Sequence, residues 1–192
     1  MKKLITYCDN DLWHKPFTDS NNDIDYWISK EGHKFKCHHP IPCHTIFIID
    51  KSGSMSREDI QPNLPNIRQN KNFNNRMGRL IESMNNYIIK RKKISQNDLF
   101  SVISFSNNAE IILSGNISDS TEEFDFVEEC MKKIKECKGD TKFYLGFEKS
   151  REILDSIDRA NYKPVIILFS DGADEEPNET IKIINEVSIF YF

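Results

Sequence analysis

The chain has 192 residues and a formal net charge of −4, from 30 Asp and Glu against 26 Lys and Arg. This length is enough for one domain with a sizeable hydrophobic core and a short extension. The slight excess of acidic residues disfavours binding to nucleic-acid backbones. No apolar run approaches the roughly 18 residues of a membrane span, and the N-terminus shows no signal-peptide pattern. We therefore predict an intracellular, cytoplasmic protein.

The N-terminal 43 residues differ in composition from the rest, and we predict that they form an extension of a main domain over residues 44–192. All five histidines lie at or before His44, together with three of the five cysteines. Cys and His at this spacing can ligate Zn²⁺, although no Cys-x-x-Cys pair is present. A zinc site and a plain connector both stay open, and the zinc ligands would be His33, Cys37, His39 and Cys43.

The main domain is predicted to begin with a buried strand over residues 45–50, because its apolar residues form a short continuous run. An Asn-rich stretch with two prolines, residues 57–75, predicts a long surface loop. Apolar residues three and four apart between Met77 and Ile88 indicate an amphipathic helix. Leu99–Phe105 and Ala109–Leu113 are predicted strands, and the turn between them is short enough for a hairpin.

Helices and strands alternate through the rest of the chain. Ser120 and Glu123 are spaced as a capping box, which predicts the start of a helix. Apolar periodicity and continuous apolar runs then predict, in order, helices over 124–134 and 143–157, a strand over 164–169, a short helix at 181–184 and a final strand over 187–192.

This alternation predicts the fold class. Strands that alternate with helices are typical of an α/β domain with a doubly wound, mostly parallel central sheet. The hairpin adds one antiparallel strand at an edge of that sheet. In such sheets ligands bind beyond the carboxyl ends of the strands.

Two of the predicted buried strands end at a carboxylate. The first runs into Asp50, and the strand over 164–169 is followed by Ser170, Asp171 and Gly172. Two carboxylates in one crevice repel each other unless a cation lies between them. Ser52 and Ser54 follow Asp50 at alternating positions and can turn their hydroxyls to the same point. Oxygen ligands of this kind suit a hard divalent cation, Mg²⁺ first and Mn²⁺ next.

The segment Asp50-Lys51-Ser52-Gly53-Ser54 resembles the Asp-x-Ser-x-Ser signature of the von Willebrand factor type A (VWA) domain. That signature opens the metal-ion-dependent adhesion site of the family. Gly139-Asp140-Thr141 is similar to the family's Gly-x-Thr loop, and Asp171-Gly172 is similar to its strand-end Asp-Gly. The three elements occur in the family's order, and the resemblance covers roughly residues 44–192.

The resemblance implies a metal-dependent protein–protein interaction module and not an enzyme. Ser52 and Ser54 would bind the metal directly, Thr141 directly or through water, and Asp50 and Asp171 mostly through water. A shell of hydroxyls and water leaves one octahedral position for an Asp or Glu side chain of a partner protein.

The chain departs from the family pattern in two places. Asp140 and Lys142 flank Thr141, where many members have Gly and Asn, and we expect Asp140 to face solvent. The family domain also normally continues with a further strand and a C-terminal helix, so we predict that this one is C-terminally short.

Two other functions remain as alternatives. A metal-dependent hydrolase could use the same crevice, but no histidine follows His44, so its general base would have to be a carboxylate. If the N-terminal segment binds zinc, the protein would instead be an adaptor in a larger, ubiquitin-linked assembly.

Overall fold

The computed structural model describes three short strands near the N-terminus and residues 42–95, 97–114, 126–134 and 136–191. The chain divides into two compact units, residues 1–40 and 41–192. In the first unit β1 (Phe17–Thr18), β2 (Asp25–Ile28) and β3 (Lys34–Lys36) form an antiparallel sheet in that order. The sequence analysis assigned no strand to this unit. The capping box at 120–123 and the zinc ligands other than Cys43 lie outside the residues whose side chains are described.

The second unit is built on a mixed four-stranded sheet. Its strands are β4 (Cys43–Asp50), β5 (Leu99–Phe105), β6 (Ala109–Leu113) and β7 (Lys163–Phe169), in the order β6-β5-β4-β7. β4 pairs in parallel with both β5 and β7, and β6 is antiparallel to β5. The predicted fold class, a mostly parallel sheet with one antiparallel edge strand, is therefore confirmed.

Helices cover both faces of this sheet. Successive side chains of β4 point to opposite sides, and apolar side chains on both sides are buried. Phe47 and Ile49 pack on the side that includes residues of two helices, α2 (Arg76–Ile94) and α3 (Phe126–Lys133). Ile46 and Ile48 pack on the opposite side, with residues of α4 (Phe143–Ser156) and α5 (Pro177–Tyr191). The helical segments in chain order are a 3₁₀ turn (Gly53–Ser56), α1 (Pro65–Arg68), α2 (Arg76–Ile94), α3 (Phe126–Lys133), α4 (Phe143–Ser156) and α5 (Pro177–Tyr191).

The predicted final strand over 187–192 is wrong, because α5 runs through it to Tyr191. Thr180 and Val187 are buried, and Ile183 packs against the same core, whereas Ile181 is 58% exposed. This spacing of buried residues is helical. A short continuous apolar run fits a buried strand and a buried helix equally well, which is why periodicity failed here. Within the described residues no strand follows β7.

The stretch predicted as a surface loop, residues 57–75, is more structured than expected. It contains α1, and the side chains of Ile67 and Phe73 are buried in the core. The buried carboxylate of Glu82, on α2, accepts a hydrogen bond from Asn63 N at 2.9 Å. These contacts fix the segment that leads from the 3₁₀ turn to the start of α2. Among the helices that the structure describes, none is long and apolar enough to cross a membrane.

Candidate metal centre

The five residues predicted to hold a metal come from three loops at the carboxyl edge of the sheet. We call them the strand-end cluster: Asp50, Ser52, Ser54, Thr141 and Asp171. Asp50 ends β4, and Asp171 follows β7 by one intervening residue. Because β4 and β7 are parallel neighbours, their carboxyl ends lie side by side.

Asp50 is fully buried and is held by two hydrogen bonds. Its Oδ1 accepts from the backbone N–H of Ser52 at 2.7 Å. Its Oδ2 accepts from the hydroxyl of Ser170 at 2.6 Å. The first bond folds the chain back immediately after β4, and the second ties β4 to the end of β7. The carboxylate therefore has a fixed orientation, with an exposed fraction of 0%.

Ser52 and Ser54 connect Asp50 to Asp171 through a series of hydrogen bonds. The Oγ atoms of Ser52 and Ser54 lie 3.1 Å apart. Ser54 Oγ donates to Asp171 Oδ1 at 2.7 Å. A hydroxyl has one proton and two lone pairs, so a Ser54 that donates to Asp171 accepts from Ser52 and keeps one lone pair for a cation. The contacts thus bring four of the five predicted ligands into one hydrogen-bonded chain.

The threonine loop is fastened to the segment that follows β4. Gly53 N donates to Gly139 O at 3.2 Å, and Lys138 N donates to Lys51 O at 2.8 Å. Gly139 has φ +90°, a conformation that favours glycine. Thr141 is 8% exposed, and its Oγ1 would lie 3.6 Å from a Cβ built on Gly172. Thr141 is therefore beside the Asp171 loop.

Two further contacts set the position of this loop. Asn107, in the β5–β6 turn, accepts from Asp140 N at 2.8 Å, while Asp140 itself is exposed as expected. Asp174 Oδ1 accepts from Phe143 N at 3.2 Å and so caps α4 from another loop.

The close approach of α4 to the sheet also requires a glycine. A Cβ built on Gly146 would lie 2.4 Å from Ile48 Cγ2. Such a contact is too close to exist, so a side chain at position 146 would force the Ile48 side chain, the helix or the strand to move. Gly146 thus lets α4 lie directly on β4, and Thr141 sits just before the first turn of that helix.

Arg76, the first residue of α2, reaches into the cluster. Its guanidinium forms ion pairs with Asp171 Oδ2 and with Asp59. The Nε of Arg76 donates to Asp59 Oδ1 at 2.7 Å. The Arg76 side chain is 19% exposed and that of Asp171 15%, whereas Asp59 is 50% exposed. This is the one cation that the described contacts place on a carboxylate of the strand-end cluster.

Burial, hydrogen bonds and neighbouring charges shift the pKa values of Asp171, Arg76 and Cys137. Burial alone would raise the pKa of Asp171, but hydrogen bonds from Ser54 and Arg76 outweigh it, and the pKa lies below its usual value. The carboxylates of Asp59 and then Asp171 raise the pKa of Arg76. Burial raises the pKa of Cys137 to about 11, and the nearby charge of Asp50 adds to this effect.

The donor set fits a hard divalent cation better than a soft one. All five side chains offer oxygen, two as carboxylates and three as hydroxyls, which is the chemistry that Mg²⁺ and Mn²⁺ prefer. Nowhere in the described parts of the chain do three or more His, Cys, Asp or Glu side chains gather as metal ligands. A metal here would therefore depend on the hydroxyls, as the sequence pattern predicted.

Four contributors to this edge were not predicted. Ser170 and Asn107 occupy turns where serine and asparagine are common, so their types gave no specific signal. Asp59 lies in the stretch predicted as a loop. Arg76 had a usable signal, because a cation in the first turn of a helix opposes the helix dipole and needs a carboxylate nearby.

Comparisons with known proteins agree with this architecture. A family model described as the von Willebrand factor type A domain matches residues 45–173. None of the curated proteins matches the chain.

Solved structures show the same fold at low sequence identity. The SpRpn10 VWA domain is similar with a TM-score of 0.55 and 15% identity, over 79% of this chain and 71% of that chain. A mutant of the PilB minor pilin from Streptococcus sanguinis is similar with a TM-score of 0.52 and 20% identity, over 69% of this chain and 30% of the pilin. Manganese-loaded TRAP protein from Plasmodium vivax has a TM-score of 0.50 and 14% identity, over 79% of this chain and 54% of that chain.

Proposed function

Because the chain belongs to the von Willebrand factor type A family, whose domains are typically protein-interaction modules, we propose that its second unit binds a protein partner through a divalent cation. The cation would be Mg²⁺ or Mn²⁺, held by the strand-end cluster. The observation that supports this proposal most directly is the hydrogen-bonded chain from Asp50 through Ser52 and Ser54 to Asp171. It brings oxygen atoms that can bind a metal close together, although Asp50 and Asp171 lie near opposite ends of the second unit's sequence.

Each residue has a distinct role in this proposal. Ser52, Ser54 and Thr141 would offer hydroxyl lone pairs to the cation. Asp50 and Asp171 would accept hydrogen bonds from hydroxyls and from metal-bound water, and so orient those ligands. Ser170 would keep the Asp50 carboxylate from rotating, since it occupies Oδ2 at 2.6 Å.

The charge of such a site explains why the partner would be acidic. Neutral hydroxyls and water leave a divalent cation under-neutralised, and the octahedral geometry of Mg²⁺ leaves a position for an external ligand. A carboxylate is the side chain that best meets both needs. The partner would therefore present an Asp or Glu side chain.

Thermal unfolding of the full chain tests the metal site. A ligand that binds only the folded state raises the Tm as its concentration increases. We expect Mg²⁺ and Mn²⁺ to raise the Tm relative to EDTA, and we expect Asp50→Asn and Ser54→Ala to abolish the rise. The manganese in the TRAP structure makes Mn²⁺ a natural second metal to include.

Ser56→Ala is a matched control for Ser54→Ala. Ser56 lies in the same 3₁₀ turn, but its hydroxyl donates to Gly53 O at 2.8 Å and contacts no carboxylate of the cluster. The Ser56→Ala variant should keep the full metal response. A wild-type Tm that does not change with either metal would contradict the proposal.

Acetate serves as the smallest probe for the acidic partner. With Mg²⁺ present, replacing chloride by acetate at constant ionic strength should raise the Tm further, and in EDTA it should not. Metal-dependent hydrolysis of a phosphoester panel, lost in Asp171→Ala, would instead favour the hydrolase. Against that alternative, His44 lies at the opposite end of β4 from Asp50.

A further inference from the structure

The side chain of Arg76 enters the strand-end cluster from a backbone that is fixed on both sides. Asn75 caps α2, since its Oδ1 accepts from Gly78 N at 3.1 Å. Arg76 N donates to Arg57 O at 3.0 Å. The first residue of the helix is therefore held in place, and its guanidinium has a defined direction.

The position of this arginine is electrostatically unfavourable unless nearby carboxylates compensate its charge. The N-terminus of a helix carries partial positive charge, so a cation there is disfavoured. The side chain is also mostly shielded from water, at 19% exposure. Two carboxylates compensate by flanking it. One is Asp171 of the cluster, and the other is Asp59, which belongs to the preceding loop and is half exposed.

The two oxygens of Asp171 have different partners as a result. Oδ1 accepts from Ser54 at 2.7 Å, and Oδ2 pairs with Arg76. Asp50, by contrast, accepts only from neutral donors in its described contacts, the Ser52 amide and the Ser170 hydroxyl. Among the described residues, Asp171 thus has a cationic partner and Asp50 has none.

We propose that Arg76 is the internal counter-ion of this metal centre, neutralising part of the charge of Asp171 so that a bound divalent cation stays electron-poor and takes a carboxylate from outside. This inference rests on the proposed function, because it assigns a role within the same site. Arg76 is a positioning and charge-setting residue in this account, and it does not bind the metal. Asp59 would moderate its effect from the other side.

The proposal predicts that Arg76→Gln raises the affinity for Mg²⁺ and lowers the Tm of the metal-free protein. Arg76→Gln removes a positive charge from beside the cation, so Mg²⁺ should bind about tenfold more tightly, given that a charge a few ångströms from a divalent ion contributes appreciably even in a wet site. The same variant should have a lower Tm in EDTA, because Asp171 loses its ion pair. A merely structural arginine would lower both the Tm and the metal affinity.

Three variants control for this reading. Arg76→Lys keeps the charge and loses the forked geometry, so its Kd for Mg²⁺ should stay within about twofold of the wild type on that charge argument. Asp59→Asn leaves Arg76 paired with Asp171 alone and should weaken Mg²⁺ binding. Arg151→Gln breaks an arginine–carboxylate pair between α4 and α5, with Glu186, and should change only the Tm.

The experiment is calorimetric titration of each full-length variant with MgCl₂ alone, beside thermal unfolding in EDTA. Tighter Mg²⁺ binding with a lower EDTA Tm in Arg76→Gln, and weaker binding in Asp59→Asn, supports the proposal. A wild type that binds Mg²⁺ while Arg76→Gln binds it equally or less well overturns this inference and leaves the metal site intact. Absence of binding in both proteins overturns the proposed function and this inference with it.

Discussion

The two ends of the central strands carry the same kinds of polar side chain but arrange their charges differently. At the amino end, Asp98 pairs with Arg91 Nε at 2.7 Å and accepts from Cys43 N at 2.9 Å. At the carboxyl end, Arg76 pairs with Asp171 and with Asp59, whereas the described contacts of Asp50 are all with neutral donors. In these contacts, one arginine matches one carboxylate at the amino end, whereas at the carboxyl end there is one arginine for three carboxylates, those of Asp50, Asp59 and Asp171. The carboxyl end therefore keeps an excess of negative charge.

This difference is the one that we expect between a structural network and the proposed metal site. A buried carboxylate with its own cation and a backbone donor has its charge satisfied within the fold. A buried carboxylate that has only neutral donors is costly to desolvate unless another charge joins it. Asp50 is in the second situation at 0% exposure. Charge balance, more than residue type, therefore distinguishes the proposed metal site from the other end of the sheet.

The largest effect should come from Asp98→Asn at the amino end. Removing one member of a buried ion pair leaves the other poorly compensated, which costs about 3 kcal/mol of unfolding free energy. Chemical denaturation in EDTA measures this change. The Mg²⁺ response should be unaffected, because Asp98 lies at the far end of the strands.

Asp50→Asn is the matched substitution at the other end. It keeps the shape of the side chain and removes an uncompensated charge, so in EDTA it should change the unfolding free energy by less than about 1 kcal/mol. Equal losses in the two variants would show that charge balance does not distinguish the two ends.

Ser170→Ala should have an intermediate effect. It removes the hydroxyl that donates to Asp50 Oδ2 and leaves that buried oxygen without its described donor, at a cost of about 1–2 kcal/mol. We also expect a severalfold weaker Kd for Mg²⁺, since Asp50 would be free to rotate. Ser101→Ala, which removes the hydroxyl bonded to His44 at 2.8 Å, is the control and should leave Mg²⁺ binding unchanged.

The smallest effect should be a pH dependence at the amino end. Burial lowers the pKa of His44 below its ordinary 6.5. The unfolded chain then takes up the proton first, so the stability contributed by neutral His44 is present above about pH 6.5 and is lost as the pH falls below that value. His44→Gln should therefore flatten the fall in unfolding free energy between pH 7 and pH 5. A slope identical to that of the wild type would rule out this contribution.

The hydrophobic pattern was enough to predict the four strands of the central sheet, but it also predicted a fifth strand over residues that belong to α5. Leu99–Phe105 and Ala109–Leu113 are strands with the predicted bounds, because β-branched and aromatic runs that flank a short polar turn have few alternatives. The apolar run after residue 186 was ambiguous. Its neighbours in space decide its conformation, and α5 buries Val187 against the same core as β4.

The site could be predicted only as far as its signature residues. Asp50, Ser52, Ser54 and Asp171 follow strand ends, and the topology brings those ends together. Arg76 was invisible as a partner of Asp171, because 95 residues separate them and only the packed structure relates them. Charge balance is a property of such distant pairs and cannot be read from local spacing.

The long sequence separation across the strand-end cluster also bears on the order of folding. The β5–β6 hairpin can form early, since its strands are adjacent in the chain, but the Ser170–Asp50 bond joins residues 120 positions apart. Pairings this distant carry the larger loop-closure cost and form late. We therefore expect a cation that needs both strand ends to bind only after the transition state for folding, when these pairings have formed. Such a ligand would lengthen the lifetime of the native state by slowing unfolding, and would leave the rate of folding nearly unchanged.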